Sequence, residues 1–128
     1  MTRLLLSLAF VLLASPAFAA YKAGVASKSA DDYKKALPLL QASDAMNPSA
    51  NAKFLTAVAA FQALGVIAPE LQKSHECADY RAANDLLTLV NVNMPAGGSV
   101  SPEAAKQILG AVPQYQAFIE GSIKRYCK

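Results

Sequence analysis

The sequence predicts an all-α fold, with about four helices arranged as antiparallel hairpins in a small bundle held by one disulfide. Three observations lead there. Beyond the first twenty residues the chain is rich in Ala, Leu, Gln and Lys, and β-branched alternation is nowhere sustained. Apolar residues recur three and four apart in four segments, separated by proline- and glycine-bearing breaks. Two cysteines, Cys77 and Cys127, follow a beginning that reads as an export leader.

The leader has three parts. Arg3 supplies a charged start, Leu4 to Ala14 an apolar stretch broken only by Ser7, and Ala17-Phe18-Ala19 the small-x-small ending that a signal peptidase accepts. The apolar run is well short of the ~20 residues that span a bilayer, and no cysteine follows it for lipid attachment. Residues 1–19 are therefore expected to be a signal peptide and residues 20–128 a single helical domain, periplasmic or secreted. No second stretch reads as long and apolar enough to span, so no membrane span is expected in the mature chain. Losing Arg3 lowers the formal charge of +3 only slightly, too weak a bias to point to nucleic acid or an anionic membrane.

Four helices are expected in order. The first spans about Tyr21 to Asn47, in two pieces, with Ser29 and Asp32 capping the second. Ala36, Leu39, Leu40 and Ser43 form its stripe, and Pro38 disturbs it. Asn47-Pro48-Ser49 is a break. The second helix runs from Ala50 to Leu64, with Phe54, Val58, Phe61 and Leu64 on one face and Gly65 at its C-terminal cap. Ala68-Pro69-Glu70 opens the third, which carries Ala83, Leu86, Leu87 and Val90 to about Asn93. Met94-Pro95-Ala96-Gly97-Gly98 is the clearest turn. Ser101-Pro102-Glu103 then starts the fourth, lined by Ile108, Val112, Tyr115, Ile119 and Tyr126, with Pro113 near its middle.

An even cysteine count in an oxidising compartment reads as a disulfide. Joining Cys77 to Cys127 closes a loop of about 50 residues, worth roughly 4 kcal/mol by chain entropy. With Cys77 early in the third helix and Cys127 closing the fourth, the two arms of the hairpin differ by roughly 14 Å at 1.5 Å per residue, an offset left to the loop and the Pro113 kink.

Shifted by 47 positions, Asp32-Tyr33-Lys34-x-Ala36-x-x-Leu39-Leu40 recurs as Asp79-Tyr80-Arg81-x-Ala83-x-x-Leu86-Leu87, and Pro48 falls on Pro95. Over residues 31–95 this resembles tetratricopeptide repeats. Ala36, Leu40, Ser43 and Pro48 match the second helix of that family and its closing turn, Ala83, Leu87 and Pro95 repeat it, and Phe54 and Phe61 match its spaced aromatics. Val58 stands where the family has a small residue, and the period is longer than the family's. A plain antiparallel bundle is the other reading, and both stack helical hairpins. The resemblance implies a groove-lining face on Ala52, Leu55, Thr56, Ala59, Gln62 and Ala63. That surface lacks the cations which clamp a peptide carboxylate.

Chemistry is sparse. His75 and Cys77, two apart on a helix, point about 200° apart and cannot share an ion, and no zinc, haem or phosphate-cradling spacing is present. Asp31-Asp32 suit a helix start, and Asp79 and Asp85 diverge. The expectation is a non-catalytic domain with no cofactor and no metal site. Its partner would be another envelope or secreted protein, met through Leu55, Thr56, Ala59, Gln62 and the off-stripe Phe118. The alternative is a carrier of a small apolar ligand or lipid, opened by the kinks at Pro38 and Pro113.

Overall fold

The computed structural model describes residues 30–128. The leader expected over residues 1–19 and the first piece of the helix expected from Tyr21 lie outside them. Among the described residues the chain forms four helices and no strand: α1 (Ala30–Met46), α2 (Ala50–Leu71), α3 (Cys77–Gly97) and α4 (Pro102–Tyr126). They pack in chain order, α1 on α2, α2 on α3 and α3 on α4, with α2–α3 the most extensive contact. One core runs through all four.

Asp31 and Asp32 place negative charge in the first turn of α1, where the helix dipole favours it. Its buried stripe is Tyr33, Ala36, Leu37 and Leu40. Leu39 and Ser43, expected inside, are exposed: Tyr33 and Leu37 bury more apolar surface than Ser43 could, and they turn the helix toward themselves. Asp44 then ties α1 to α2. Its Oδ1 accepts from the Ser49 amide at 3.0 Å, and both its oxygens lie 2.8 Å from Lys53 Nζ. Ser49 caps α2, its Oγ accepting from the Ala52 amide at 3.1 Å.

The second helix does not stop at Gly65 but continues to Leu71, and the third begins at Cys77 rather than near Pro69. Ile67 and Leu71 carry the apolar stripe onward from Leu64, Leu71 joining the core and Ile67 packing half-buried against it. Burying them outweighs the roughly 1 kcal/mol that a glycine costs inside a helix. The extended α2, 22 residues with only Lys53 and Glu70 charged, is long and apolar enough to cross a membrane by length and composition. This corrects the expectation that no such stretch follows the leader. Here it is the central helix, with Ala57, Ala59, Ala60, Ala63 and Leu64 wholly enclosed.

The segment Met94 to Gly97, expected as a turn, is the last turn of α3. Met94 is fully buried, so the helix must persist to place it. Gly97 serves close packing: a Cβ there would come within 2.7 Å of Phe54 Cα and 2.9 Å of the Lys53 carbonyl carbon. Backbone meets backbone at that point, and only glycine fits. The fourth helix begins as expected, with the Ser101 hydroxyl accepting from the Ala104 amide and Pro102 in the first turn.

Four prolines, at 38, 69, 95 and 113, lie inside helices. Each leaves the carbonyl four residues earlier without its amide donor. Those carbonyls belong to Lys34, Gly65, Asn91 and Leu109, and all eight residues are exposed. Water can take the orphaned acceptors, so the helices run through.

Candidate functional site

Because α3 runs on to Gly97 rather than stopping near Asn93, the arm that carries Cys77 is longer and the offset of roughly 14 Å shrinks. Cys77 is the first residue of α3 and Cys127 the C-cap of α4, so the start of one helix meets the end of the other. The two form a disulfide with their Cα atoms 5.0 Å apart. This pairing fits an oxidising compartment.

Beside the disulfide lies an aromatic cluster centred on Tyr80, which is 2% exposed. Its ring stacks on Tyr126 at 5.6 Å and meets Phe118 edge-on at 6.0 Å. Its hydroxyl carries one proton, shared between the carbonyls of Leu71 at 2.6 Å and Ser74 at 2.7 Å. The Leu71 carbonyl also accepts from the Ser74 amide at 3.2 Å, so Tyr80 adds a second bond at the end of α2 and ties down the Ser74 carbonyl in the link. Tyr80 thus holds the α2–α3 link from below while packing against α4. The link is further shaped by Ser74, whose Oγ donates to Asp79 Oδ2 at 2.7 Å and accepts from the Glu76 amide at 3.0 Å.

His75, expected on an early helical turn, lies in this link. Its Nδ1 is 3.0 Å from the Tyr126 hydroxyl, and the Arg125 guanidinium sits 5.3 Å from the Tyr126 ring centre. Among the described residues no three His, Cys, Asp or Glu side chains converge as a metal set would. Asp44 is the one described group with a resolved shift. Its bond from Lys53 and that from the Ser49 amide hold its carboxyl below the usual 3.8.

Next to the aromatic cluster, between α2 and α4, is an open groove of about 320 Å³. Phe61, Ala68, Leu71 and Gln72 form the α2 wall; Ala111, Gln114, Tyr115 and Phe118 form the α4 wall. Phe61 and Tyr115 close one end through an edge contact at 5.9 Å. The lining has no charged side chain, so its polar character comes from two carboxamides and one phenol.

The expected partner-facing residues divide. Phe118 is 40% exposed and lines the groove. Gln62 is exposed but lies outside it, and Leu55 is half-buried against the core. Thr56 and Ala59 are enclosed, as are Ala52 and Ala63, which removes them from any partner-facing surface. Thr56 satisfies its hydroxyl by donating to the Ala52 carbonyl at 2.7 Å. In a longer α2 lying between neighbours, the face assigned to a groove has become core. Ala68, Leu71 and Gln72 were missed because they were placed on the wrong helix. The seven-then-four spacing of Phe61, Ala68 and Gln72 on an unbroken α2 was the signal for them.

Compared with protein-family models, with curated proteins and with solved structures, the chain finds no match.

Proposed function

We infer that this chain is a non-catalytic, exported interaction domain that docks another envelope or secreted protein in the α2–α4 groove. The observation that carries this is the groove's lining: three aromatic and three aliphatic side chains, two carboxamides and no charge. Acid–base or nucleophilic work needs a titratable group beside the reacting atom, and the groove holds no carboxylate, histidine, cysteine or lysine. What it fits is an uncharged apolar anchor, such as the Leu or Phe stripe of an amphipathic helix, with Gln72 and Gln114 free to bond amides at the rim. Export rests on the leader pattern in residues 1–19 together with the Cys77–Cys127 pairing. The matched burial of Tyr33, Ala36 and Leu40 with Tyr80, Ala83 and Leu87 supports a repeat akin to the tetratricopeptide type. In this reading α2 is a core helix and the mature chain has no membrane span, nucleic-acid partner or cofactor.

The second reading, a carrier for a small apolar ligand, is favoured by the groove's size, since small-molecule sites begin at about 300 Å³. One experiment separates the two. A photoreactive phenylalanine analogue is placed at Gln72 or Ala111 in cells exporting the protein, with Gln41 and Glu103 as control sites. Protein docking gives a discrete adduct of protein mass from the groove sites alone. An adduct of small-molecule mass transfers the conclusion to the carrier. Equal adducts from all four sites, or none, would refute both.

A further inference from the structure

We propose that the Cys77–Cys127 disulfide sets the shape of the α2–α4 groove through Tyr80, so that thiol–disulfide exchange with a dithiol reductant switches the groove between two forms. This deepens the proposed function by naming a regulation of the same site. The path is short and made of contacts already described. Cys127 follows Tyr126 directly, and the Tyr126 ring lies parallel to that of Tyr80 in an offset stack. Tyr80 then touches both walls of the groove. Its ring meets Phe118 on α4, and its hydroxyl holds the carbonyl of Leu71 on α2. Phe118 and Leu71 are both lining residues.

Besides the disulfide, the end of α4 is held by half-buried contacts: Ile123 and Tyr126 against the core, and the Tyr126 ring and hydroxyl on Tyr80 and His75. Ile119 is its last fully buried residue; Ile123 and Tyr126 are half-buried, and Lys124, Arg125 and Lys128 are exposed. Freed from Cys77, this final turn has no fully buried side chain beyond Ile119, the mark of a segment that can open locally. Tyr126 then leaves the Tyr80 ring, and Tyr80 no longer fixes the spacing between Phe118 and Leu71. Both half-cystines are half-buried rather than enclosed, and exchange needs a thiolate to reach one of the sulfurs. The exchange balances. A dithiol gives two electrons and two protons to the S–S bond, which opens to two thiols at Cys77 and Cys127, while the reductant closes to its own disulfide.

The chain contains no tryptophan, so Phe118→Trp and Gln72→Trp each place a single reporter, one per wall. In full-length mature protein, oxidised and then reduced with dithiothreitol, both reporters are expected to red-shift and to become more easily quenched by acrylamide, with far-ultraviolet helicity retained. In the Cys77→Ser/Cys127→Ser background they should start in the shifted state and ignore dithiothreitol. Tyr80→Phe keeps both ring contacts and drops the hydroxyl's ties to the Leu71 and Ser74 carbonyls, so it should move the Gln72→Trp signal and leave that of Phe118→Trp in place. Identical emission and quenching in the two redox states would overturn the proposal. So would wholesale loss of helix on reduction, which would make the disulfide a plain staple. Neither readout needs a bound partner, so this idea can fail while groove docking stands, and the reverse.

Discussion

Tyr33, Ala36 and Leu40 on α1 match Tyr80, Ala83 and Leu87 on α3, one repeat apart, and all six side chains are buried. The next pair parts company: Leu39 is 41% exposed and Leu86 is 5% exposed. Nearly the same local sequence has been placed in two surroundings. The third helix packs extensively on both α2 and α4, whereas the extensive packing of α1 among the described helices is on α2. The ends differ too. A disulfide fastens the start of α3 to α4, whereas the end of α1 is joined to α2 by the Asp44–Lys53 ion pair and its bonds. The pattern fixes which three positions go inward, and the number of neighbours decides the fourth.

The largest test of this contrast is the covalent tie. Replacing both Cys77 and Cys127 by Ser is expected to lower stability by about 4 kcal/mol, read from urea melts of the oxidised and substituted proteins. A loss below about 1 kcal/mol would show that α4 stays docked on α3 without help. Next comes the leucine pair. Leu86→Ala should cost about 2–4 kcal/mol, while Leu39→Ala should cost no more than about 1 kcal/mol. Equal costs in parallel melts would mean that something covers the outer face of α1 in solution.

Gly97→Ala probes the close approach of α3 to α2. Its added Cβ meets backbone that cannot give way as a side chain would, so a loss of about 1–3 kcal/mol is expected. Gly110→Ala and Gly121→Ala, with open space at the Cβ position, should not destabilise. The smallest effect belongs to Asp44. Its folded carboxyl lies below 3.8, so the stabilisation is present above the unfolded value and fades as pH falls through the folded one. Asp44→Asn should flatten the acid limb of a stability–pH profile and weaken its salt dependence. An unchanged limb would show that the pair contributes nothing measurable.

Much of the fold was legible in the residues. Ser101-Pro102-Glu103 announced α4 because cap, first-turn proline and acid act locally, and cysteine parity announced the disulfide. The α2–α3 boundary was not legible: Gly65 and Ala68-Pro69-Glu70 imitate a stop followed by a start. What overruled them is tertiary, namely the burial of Leu71 and the exposure of Gly65, where solvent can serve the carbonyl that Pro69 strands. Met94-Pro95 misled for the same reason. The groove inherited that error, because half of one wall had been assigned to another helix. Phe118 was found because it departs from its helix's stripe, a purely local signal. Tyr80 read only as part of the repeated motif, since its grip on Leu71 and Ser74 depends on where the α2–α3 link bends.

The chain-order packing also bears on how the molecule is made. Each helix needs only its sequence neighbour to find a partner, so contacts form locally and assembly should be quick. The one link that reaches across about 50 residues, Cys77 to Cys127, is covalent, and such bonds take seconds to hours to close. Folded helices would therefore bring the two thiols together before an oxidant arrives. Helix docking then acts as the template for oxidation, and a chain with only two cysteines has no wrong intramolecular pairing to undo.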